Sequence, residues 1–311
     1  AIKLTNEPKY DTFQILIYDA NSIKDWVNEH IGAVVLVQEF NGIQRMQGFI
    51  TWNRWEILSK AKETTFQVDE NISININSIR EGIINENIIR ITGHSGLGKT
   101  RLVLEAFREF GLQDSLVYLN LEGNSNISEI KNYIFSYQET QNGIIILDNC
   151  DASSHVALSE IVKSFGNIKI ITIGLDDSNS IQDLKIKIDR ENQRSLVSEI
   201  VYEKLKTTHQ PSDIEYICKV SEGYPGMAIK FCGVIIKDRV PDLSKIPIDE
   251  FIKRLIFGDN AQDEIEYNII RGCSVFSAFG FLDDSFRNVI NPKYKDLLKA
   301  QMDFIRERII D

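Results

Sequence analysis

Short apolar runs alternate with longer segments of helical periodicity through the middle of the chain. Five of these runs have the length and β-branched content of buried strands, at residues 88–91, 116–121, 143–148, 168–173 and 184–188. Helical spacing of apolar residues marks the segments 100–110, 127–137 and 154–164. Strands that alternate with helices of this length pair in parallel, because each helix returns the chain to the same end of the sheet. The pattern therefore predicts an α/β fold with a five-stranded parallel sheet.

The segments on either side of this sheet have other patterns. Before it, residues 13–18 and 33–37 have the apolar content of strands, Asp19–Ser22 supplies capping chemistry for a helix to about Glu29, and a further helix is predicted from Trp52 to Lys62. After it the pattern is helical only, with segments at 192–206, 211–221, 227–237 and, beyond a connector at 241–247, from 248 to 310. The domains predicted are a small α/β segment with a linker (1–80), the sheet (81–190), a helical lid (191–245) and a further helical region (246–311).

A glycine-rich segment follows the first core strand and opens the first core helix. It reads Gly93-His94-Ser95-Gly96-Leu97-Gly98-Lys99-Thr100 and fits the phosphate-loop pattern. The backbone N–H groups of such a loop surround phosphate oxygens at the positive end of the following helix. In this pattern Lys99 reaches the β- and γ-phosphates, and the Thr100 hydroxyl binds Mg²⁺. A turn without a ligand is the alternative, and the order strand, loop, helix disfavours it.

The strand at residues 143–148 ends in an acid, Asp148. A buried strand holds such a carboxylate beside Thr100, where it can bind Mg²⁺ directly or through water, although a turn cap is the alternative. The next residue, Asn149, can orient a water molecule but cannot accept its proton. We therefore expect slow hydrolysis of the nucleotide, or its use as a switch. Asp151 could replace the missing base or serve in a turn.

Two residues near the predicted site have alternative interpretations. Thr172 could sense the γ-phosphate, or its β-branched side chain could simply suit a strand. Arg101 directly follows the loop and either contacts phosphate or extends into solvent, with solvent favoured.

Composition narrows the classes of function. The 311 residues have a net charge of −10, which argues against a nucleic-acid-binding surface over the whole chain. The four cysteines and four histidines show no metal-ligand spacing, so the cysteines are expected to be reduced thiols. Trp26, Trp52 and Trp55 are predicted to be core residues rather than a binding surface.

The apolar runs are too short to span a membrane, so the expected location is cytoplasmic. The start at Ala1 suggests a fragment of a longer protein.

Together with these motifs, the segment Gly223-Tyr224-Pro225-Gly226 resembles the Gly-x-Pro element of the STAND class of signalling NTPases. In that class the proline packs near the adenine, and the resemblance carries this role over to Pro225. The resemblance implies bound ATP or ADP with Mg²⁺. The predicted nucleotide-binding residues are Gly93 through Thr100, Arg101 and Pro225. The predicted catalytic residues are Lys99, Asp148 and Asn149, and the predicted metal ligands are Thr100 and Asp148.

Three longer stretches look like the antiviral STAND (Avs) proteins of prokaryotes. They are Gly93–Leu102, Leu147–Asp151 and Gly272–Gly280. The resemblance implies that residues 1–80 end an effector domain of the restriction-endonuclease type, and that a winged-helix domain begins within residues 246–311. It also implies homo-oligomerisation on activation, a phage protein as the target of a C-terminal sensor outside this chain, and DNA as the substrate of the effector.

The chain departs from this family pattern in two places. Residues 1–85 contain no Asp…Glu-x-Lys constellation, so the catalytic residues of a nuclease lie upstream or are absent. Gly174 stands where plant and animal relatives, of the NACHT and NB-ARC type, often carry a phosphate-sensing arginine. Two other functions remain open: a STAND transcription regulator with a DNA-binding domain in place of the effector, and a scaffold that holds nucleotide without turnover.

Overall fold

The computed structural model describes residues 19–42, 48–59, 65–121, 127–135, 142–175 and 183–238. The helices within these ranges are α1 Ala20–Glu29, α2 Ile31–Phe40, α3 Trp52–Leu58, α4 Glu70–Asn85, α5 Lys99–Phe107, α6 Ile127–Phe135, α7 Ala152–Val162, α8 Arg194–Leu205, α9 Pro211–Ser221 and α10 Pro225–Asp238. The strands are β1 Ile50–Thr51, β2 Ile88–Thr92, β3 Leu116–Asn120, β4 Gly143–Asp148, β5 Ile168–Gly174 and β6 Leu184–Lys187. Short 3₁₀ turns occupy Gln113–Ser115 and Glu191–Gln193.

These strands form one sheet in the order β1-β3-β4-β5-β2-β6. β1 pairs antiparallel with β3, and every other neighbouring pair is parallel. The register aligns Thr92 with Gly174 and Asn120 with Asp148, so the carboxyl ends of four strands meet at one edge. Ligands of α/β sheets bind at this edge. The predicted α/β fold with five parallel strands is confirmed, and the two-residue β1 adds an antiparallel strand at the side of β3.

Helices cover both faces of the sheet, which explains why its central strands are largely apolar, with Arg90 and Thr92 of β2 as buried exceptions. α4 packs on β2 and β6, and α7 packs on β5 and β2. Every residue of β2 and of β4 is buried. Parallel strands covered on both faces read as continuous hydrophobic runs rather than as alternating patterns. This continuity made the core strands easy to predict.

The strand predicted at residues 33–37 is wrong, because these residues belong to α2. The helix places Ile31 and Val35 on one side, where both are buried, and leaves Phe40 83% exposed. Gly32 packs close to the backbone ahead of β3, where an added Cβ would lie 2.6 Å from the carbonyl oxygen of Asp114. A short continuous apolar run has no periodicity that separates a strand from a buried helix.

The polar, asparagine-rich residues before Ile79, for which the sequence pattern predicts no helix, form most of α4. The Asp69 carboxylate caps the helix by accepting a hydrogen bond of 2.8 Å from the backbone N–H of Ile72. Ile72, Ile79 and Ile83 are buried along one side. Asparagine is a weak helix former, so the composition conceals the helix. The cap and the spacing of the isoleucines are the signals that reveal it.

The tryptophans and cysteines give mixed outcomes. Trp52 and Trp55 are buried, as predicted, but Trp26 is 42% exposed and its prediction as a core residue is wrong. Cys150, Cys218 and Cys232 are free thiols, as expected.

The chain divides into two compact units. The first is Ala1–Ile200 with Glu222–Gly226, and the second is Val201–Ser221 with Met227–Asp311. The first unit contains the whole sheet and the phosphate-loop segment. Of the helices in the described ranges, none has the length and apolarity needed to cross a bilayer. The strand predicted at 13–18 and the helices predicted from 248 onward, with the winged-helix region, lie outside the described residues.

Candidate functional site

The phosphate-loop segment connects β2 to α5 at the carboxyl edge of the sheet. Gly93, Gly96 and Gly98 have φ values of 144°, 81° and 83°, a region that favours glycine. A side chain at Gly93 would also collide with the carbonyl oxygen of Ile188. Leu97 is 2% exposed and anchors the middle of the loop in the core. The sequence therefore supplies a tight turn, with glycines at the positions of positive φ, that brings backbone N–H groups close to a phosphate.

Lys99 lies along this loop rather than pointing into solvent. Its Nζ donates hydrogen bonds of 2.6 Å to the carbonyl oxygen of Gly93 and 2.8 Å to that of His94. Burial lowers the pKa of Lys99, the positive charge of Arg90 lowers it further, and the charge of Asp148 opposes both. An anionic ligand would supply the negative charge that this buried ammonium lacks.

The two predicted metal ligands are in direct contact. The Thr100 hydroxyl donates a hydrogen bond of 2.7 Å to Oδ2 of Asp148. The Tyr118 hydroxyl donates to the same oxygen at 3.0 Å, and the backbone N–H of Asn149 donates to Oδ1 at 2.9 Å. Asp148 is 7% exposed at the end of β4. The structure thus places a hydroxyl and a carboxylate side by side at the start of the helix that follows the loop.

Asn149 adopts a backbone conformation that few residues tolerate. Its φ is 53°, in the left-handed region where asparagine is one of the better-accepted residues. Its side-chain Nδ2 donates a hydrogen bond of 2.8 Å to Oδ1 of Asn120, at the end of β3. The amide is therefore held in a defined orientation beside Asp148.

Asp151 caps α7. Its Oδ1 accepts hydrogen bonds from the Ser153 hydroxyl at 2.6 Å and from the backbone N–H of Ser154 at 2.8 Å. These bonds, with that of Ser153 the largest cause, lower the pKa of Asp151 to about 2. The structure thus gives Asp151 a local role as a helix cap, which is closer to the predicted turn role than to that of a base.

Thr172 belongs to a buried polar group that we call the interior cluster, made of His155, Ser159, Thr172 and Asp183. Nδ1 of His155 lies 2.7 Å from the Thr172 hydroxyl, and Nε2 lies 3.0 Å from Oδ2 of Asp183. Burial lowers the pKa of His155. A neutral imidazole that donates from Nε2 to the carboxylate and accepts at Nδ1 from the hydroxyl satisfies both contacts. These contacts do not support the interpretation of Thr172 as a γ-phosphate sensor.

Arg90 fills the space beside Gly174. Its Nη1 donates a hydrogen bond of 2.9 Å to the carbonyl oxygen of Cys150, and Arg90 has no exposed surface. A side chain at Gly174 would collide with Nη2 of Arg90 and with the same carbonyl oxygen. A guanidinium is thus present at the end of β5, but it comes from β2. Burial raises the pKa of the neighbouring Cys150 thiol to about 12, so this cysteine is unreactive.

The Gly223–Gly226 segment, which we call the Gly-x-Pro loop, contacts the phosphate loop. The backbone N–H of Gly226 donates a hydrogen bond of 3.0 Å to the carbonyl oxygen of Gly96. Pro225 is buried at the first position of α10, where a proline suits a helix start. Arg190 pairs with Glu222 at 3.1 Å, and its guanidinium carbon lies 6.0 Å from the centre of the Tyr224 ring. All of these residues belong to the first unit.

The side chain of Arg101 is only 22% exposed, so the favoured interpretation, extension into solvent, is not what the structure shows. Its contact with phosphate stays a prediction. Its Nε pairs with Oε1 of Glu105 at 2.7 Å, one turn further along α5. Its guanidinium carbon lies 5.5 Å from the centre of the Phe66 ring, and burial lowers its pKa.

The sequence did not identify four residues that surround the site: Arg90, Tyr118, Asn120 and Arg190. Asn120 could have been found, because it ends a predicted strand at the edge where Asp148 lies. Tyr118 precedes it by two positions and therefore shares its face of β3. Arg90 and Arg190 carry no comparable signal.

No family model and no curated protein sequence matches the chain. Among solved structures, the chain is similar to a Walker-type ATPase of Pyrococcus abyssi, with 13% identity over 73% of this chain and 78% of that one, and a TM-score of 0.43. It is also similar to a katanin structure, with 12% identity over 59% and 73% of the two chains and a TM-score of 0.39. For Hsp104 of S. cerevisiae in complex with casein, the identity is 15%, the TM-score is 0.41, and the match covers 73% of this chain and about half (49%) of Hsp104.

The fold and the geometry of the loop define the class of this domain. A glycine-rich loop links a buried parallel strand to a helix that begins with Lys99 and Thr100, and the acid of another parallel strand contacts that threonine. This is the arrangement of a phosphate-loop NTPase domain.

Proposed function

We propose that this domain binds ATP with Mg²⁺ and acts as the nucleotide switch of a STAND-class signalling protein. The observation that carries the proposal is the hydrogen bond of 2.7 Å between Thr100 and Asp148, directly after the phosphate loop. A hydroxyl and a carboxylate in this position are the protein ligands that phosphate-loop proteins use for Mg²⁺.

The residues present suit a triphosphate and its metal. Gly93 and Gly98 have no Cβ to obstruct the backbone of the loop, and Lys99 is held by main-chain carbonyls that a phosphate can replace. Mg²⁺ is typically bound by one or two protein oxygens together with phosphate oxygens and water. When bound, Mg²⁺ would supply neutralisation of the charge on the β- and γ-phosphates. Lys99 would orient the same oxygens, and the loop would exclude water from one side of the phosphates.

The Gly-x-Pro loop supports the switch part of the proposal. Because Gly226 bonds to Gly96, this loop and the phosphate loop form adjacent walls of one site. Pro225 would contact the adenine, as its resemblance to the STAND class implies. A nucleotide bound between the two loops would then favour the conformation in which they touch.

We further propose that hydrolysis is slow. Asn149 stands where a general base would act, and its amide is tied to Asn120 at 2.8 Å. An amide can hold a water molecule but cannot take its proton.

The biological role that we propose is the control of an antiviral effector. A phage protein would be recognised by a sensor outside this chain, the nucleotide-bound domains would assemble into a homo-oligomer, and a nuclease-type effector would then act on DNA. This role rests on the resemblance of Gly93–Leu102 and Leu147–Asp151 to Avs proteins.

Calorimetric titration with ATP and Mg²⁺ tests nucleotide binding. Lys99→Ala should weaken binding by about 100-fold or more, because each charge-assisted hydrogen bond contributes about 1.5–3 kcal/mol. Lys206→Ala, which removes an exposed lysine paired with Glu203, is the matched control and should bind like the wild type. Equal affinities of the Lys99 variant and the wild type would sink the proposal.

Asn149→Asp tests slow hydrolysis. A carboxylate at this position should raise ATP turnover by about tenfold or more, since general-base catalysis contributes about 10²–10⁴-fold when the base is well placed. Asn120→Asp is the control, because it adds a charge nearby while leaving an acceptor for the Asn149 amide. Unchanged turnover in Asn149→Asp would mean that Asn149 does not limit the rate, and binding without turnover in either protein would favour the scaffold function.

A further inference from the structure

A chain of contacts leads from α3 to the candidate metal ligand. The Tyr118 hydroxyl donates a hydrogen bond of 3.0 Å to Oδ2 of Asp148. The Tyr118 ring stacks on Trp55, with ring centres 4.3 Å apart and planes 13° from parallel. Trp55 is 2% exposed, so its indole has little freedom to move. The position of the phenol therefore depends on α3 as well as on β3.

Short connections fix α3 against β3. α3 starts at Trp52, directly after β1, and β1 pairs with β3 so that Ile50 lies opposite Tyr118. The pairing of β1 with β3 thus brings Trp55 of α3 close to Tyr118 of β3.

The hydrogen bonds of Asp148 define what Tyr118 does at the site. Oδ2 accepts from Thr100 and Tyr118, and Oδ1 accepts from the N–H of Asn149. If Thr100 turned its oxygen to a cation, Tyr118 and the Asn149 N–H would remain to hold the carboxylate. Hydrogen bonds to a ligating carboxylate orient it and raise metal affinity.

We propose that Tyr118 is a positioning residue for Asp148, and that Trp55 of α3 holds Tyr118 in place. The Tyr118 hydroxyl aims the carboxylate at the cation that Asp148 and Thr100 share, and the stacked indole keeps that hydroxyl within reach. This inference rests on the Mg²⁺-nucleotide binding proposed above.

A second connection ties α3 to the helix after the phosphate loop. Glu56, which is 4% exposed, bonds to Arg108, and Arg108 Nε donates a hydrogen bond of 2.6 Å to Oε2 of Glu105. Glu105 in turn pairs with Arg101, next to Thr100. The bonds to Glu105 are the largest cause that raises the pKa of Arg108. α3 is thus joined to α5, which carries Thr100, and through Trp55 and Tyr118 to Asp148 at the end of β4. By linkage the position of α3 and the metal affinity depend on each other.

The test is the Mg²⁺ dependence of ATP binding, measured by calorimetry at a series of free Mg²⁺ concentrations and once in EDTA. Tyr118→Phe keeps the stacked ring and removes the hydroxyl. The Mg²⁺ concentration for half-maximal binding should rise about tenfold, the lower end of the effect of losing an outer partner of a metal ligand. Affinity for ATP in EDTA should stay at the wild-type value.

Two sets of variants control for simple damage to the fold. Tyr133→Phe removes the hydroxyl of another stacked tyrosine, whose ring lies 4.9 Å from that of Phe49, and should keep the wild-type Mg²⁺ dependence. Trp55→Leu should shift the Mg²⁺ dependence in the same direction as Tyr118→Phe, and Trp55→Phe, which retains an aromatic partner, should restore most of it.

The possible outcomes separate the inference from the function on which it rests. A wild-type protein that fails to bind ATP at any Mg²⁺ concentration overturns the proposed function itself. Normal wild-type binding with an unchanged Mg²⁺ dependence in Tyr118→Phe overturns the positioning role. Equal losses with Mg²⁺ and in EDTA show a structural role and also overturn it. An effect of Tyr118→Phe without one of Trp55→Leu removes α3 from the inference.

Discussion

Two polar clusters lie on the same parallel sheet and differ in what their side chains contact. In the interior cluster the side chains bond to one another, and those of His155 and Asp183 are 0% and 1% exposed. In the site cluster, which comprises Lys99, Thr100, Tyr118 and Asp148, some side chains also bond to one another, but Thr100 and Tyr118 are only half-buried. Lys99 bonds to main-chain carbonyls, and Asp148 accepts from hydroxyls and an N–H. A phosphate or a cation can replace such partners, whereas the fully buried hydrogen bonds of His155 and Asp183 cannot be exchanged without unfolding.

Arg90 lies near both clusters and influences each. Its positive charge lowers the pKa of Lys99 and of His155, and its guanidinium holds the carbonyl of Cys150, two residues after Asp148. The difference between the clusters is therefore not one of distance from charge. The clusters differ in their hydrogen-bond partners. The interior cluster bonds within itself, whereas the site cluster also bonds to main-chain carbonyls and to half-buried hydroxyls.

The sharpest test exchanges the two aspartates for alanine. Asp183→Ala should lower the free energy of unfolding by about 3 kcal/mol, because each buried donor left without an acceptor costs about 1–3 kcal/mol and His155 and Ser159 both lose one. Its ATP affinity should not change. Asp148→Ala should show the reverse, with Mg²⁺-dependent binding lost and a smaller loss of stability. Its donors Thr100 and Tyr118 are half-buried and Asn149 is exposed, so water can replace the lost acceptor. Urea unfolding and calorimetry measure the two quantities, and similar stability losses in both variants would contradict the comparison.

Gly174→Ala should destabilise the protein by about 2 kcal/mol, within the cost of overpacking a closed core. The added methyl group would collide with the Arg90 guanidinium and the Cys150 carbonyl. Gly166→Ala is the matched control, since a Cβ there would have no atom within 4 Å and should leave stability unchanged. Thermal unfolding of the two variants gives the comparison, and an equal, small effect in both would show that Arg90 can move aside.

His155 should make stability depend on pH. Burial holds its folded pKa below the value of 6.5 for a free imidazole, so the unfolded chain binds more protons than the folded chain in acid. The stability contribution is complete above pH 6.5 and is lost as the pH falls from there toward the lowered folded pKa. Unfolding midpoints between pH 7.5 and 5 should therefore decline, and His155→Gln should decline less over that range. Parallel curves for the two proteins would refute this assignment.

Asp151→Ala should have the smallest effect, about 1 kcal/mol, the usual cost of losing a helix cap. The carboxylate is exposed, and its bonds serve the start of α7 alone. Asp151→Asn, which can still accept from Ser154, should retain most of the stability. Because the folded pKa is about 2, the contribution is present above pH 3.8 and is lost as the pH falls toward 2. A wild-type-like Asp151→Ala protein would show that α7 needs no cap.

The parts of the molecule that the sequence predicted are those whose physical cause is local. The apolar run of β4 by itself indicates a strand that is buried on both faces. The glycines of the phosphate loop by themselves indicate a turn with φ values near 80° or above. The contact of Thr100 with Asp148 also followed, because parallel strands end at one edge.

The rest depended on partners far away in the chain. α2 is a helix because Ile31 and Val35 bury one side of it, and α4 is a helix in spite of its asparagines. The proposed positioning role of Tyr118 depends on its stacking with Trp55, which β1 and α3 bring close to it. No sequence spacing predicts this contact between distant parts of the chain. From the sequence, a buried arginine within the apolar strand β2 is unexpected. The structure explains it, because Gly174 has no side chain and leaves room for the Arg90 guanidinium.

The bond between Gly226 and Gly96 joins main chain to main chain, and this has a consequence for how the proposed switch can vary. Every residue except proline carries the same N–H donor, so substitutions at position 226 leave the bond available. An alanine there would meet the Gly96 carbonyl oxygen at 3.2 Å, a tight contact that small shifts can relieve. If the phosphate loop shifts to accept the side chain, a mutational scan would record the position as tolerant although, in the proposed switch, it helps to close the site. Substitutions of the side chain would therefore not reveal the contribution of this hydrogen bond. Only Gly226→Pro removes the N–H donor and would test it.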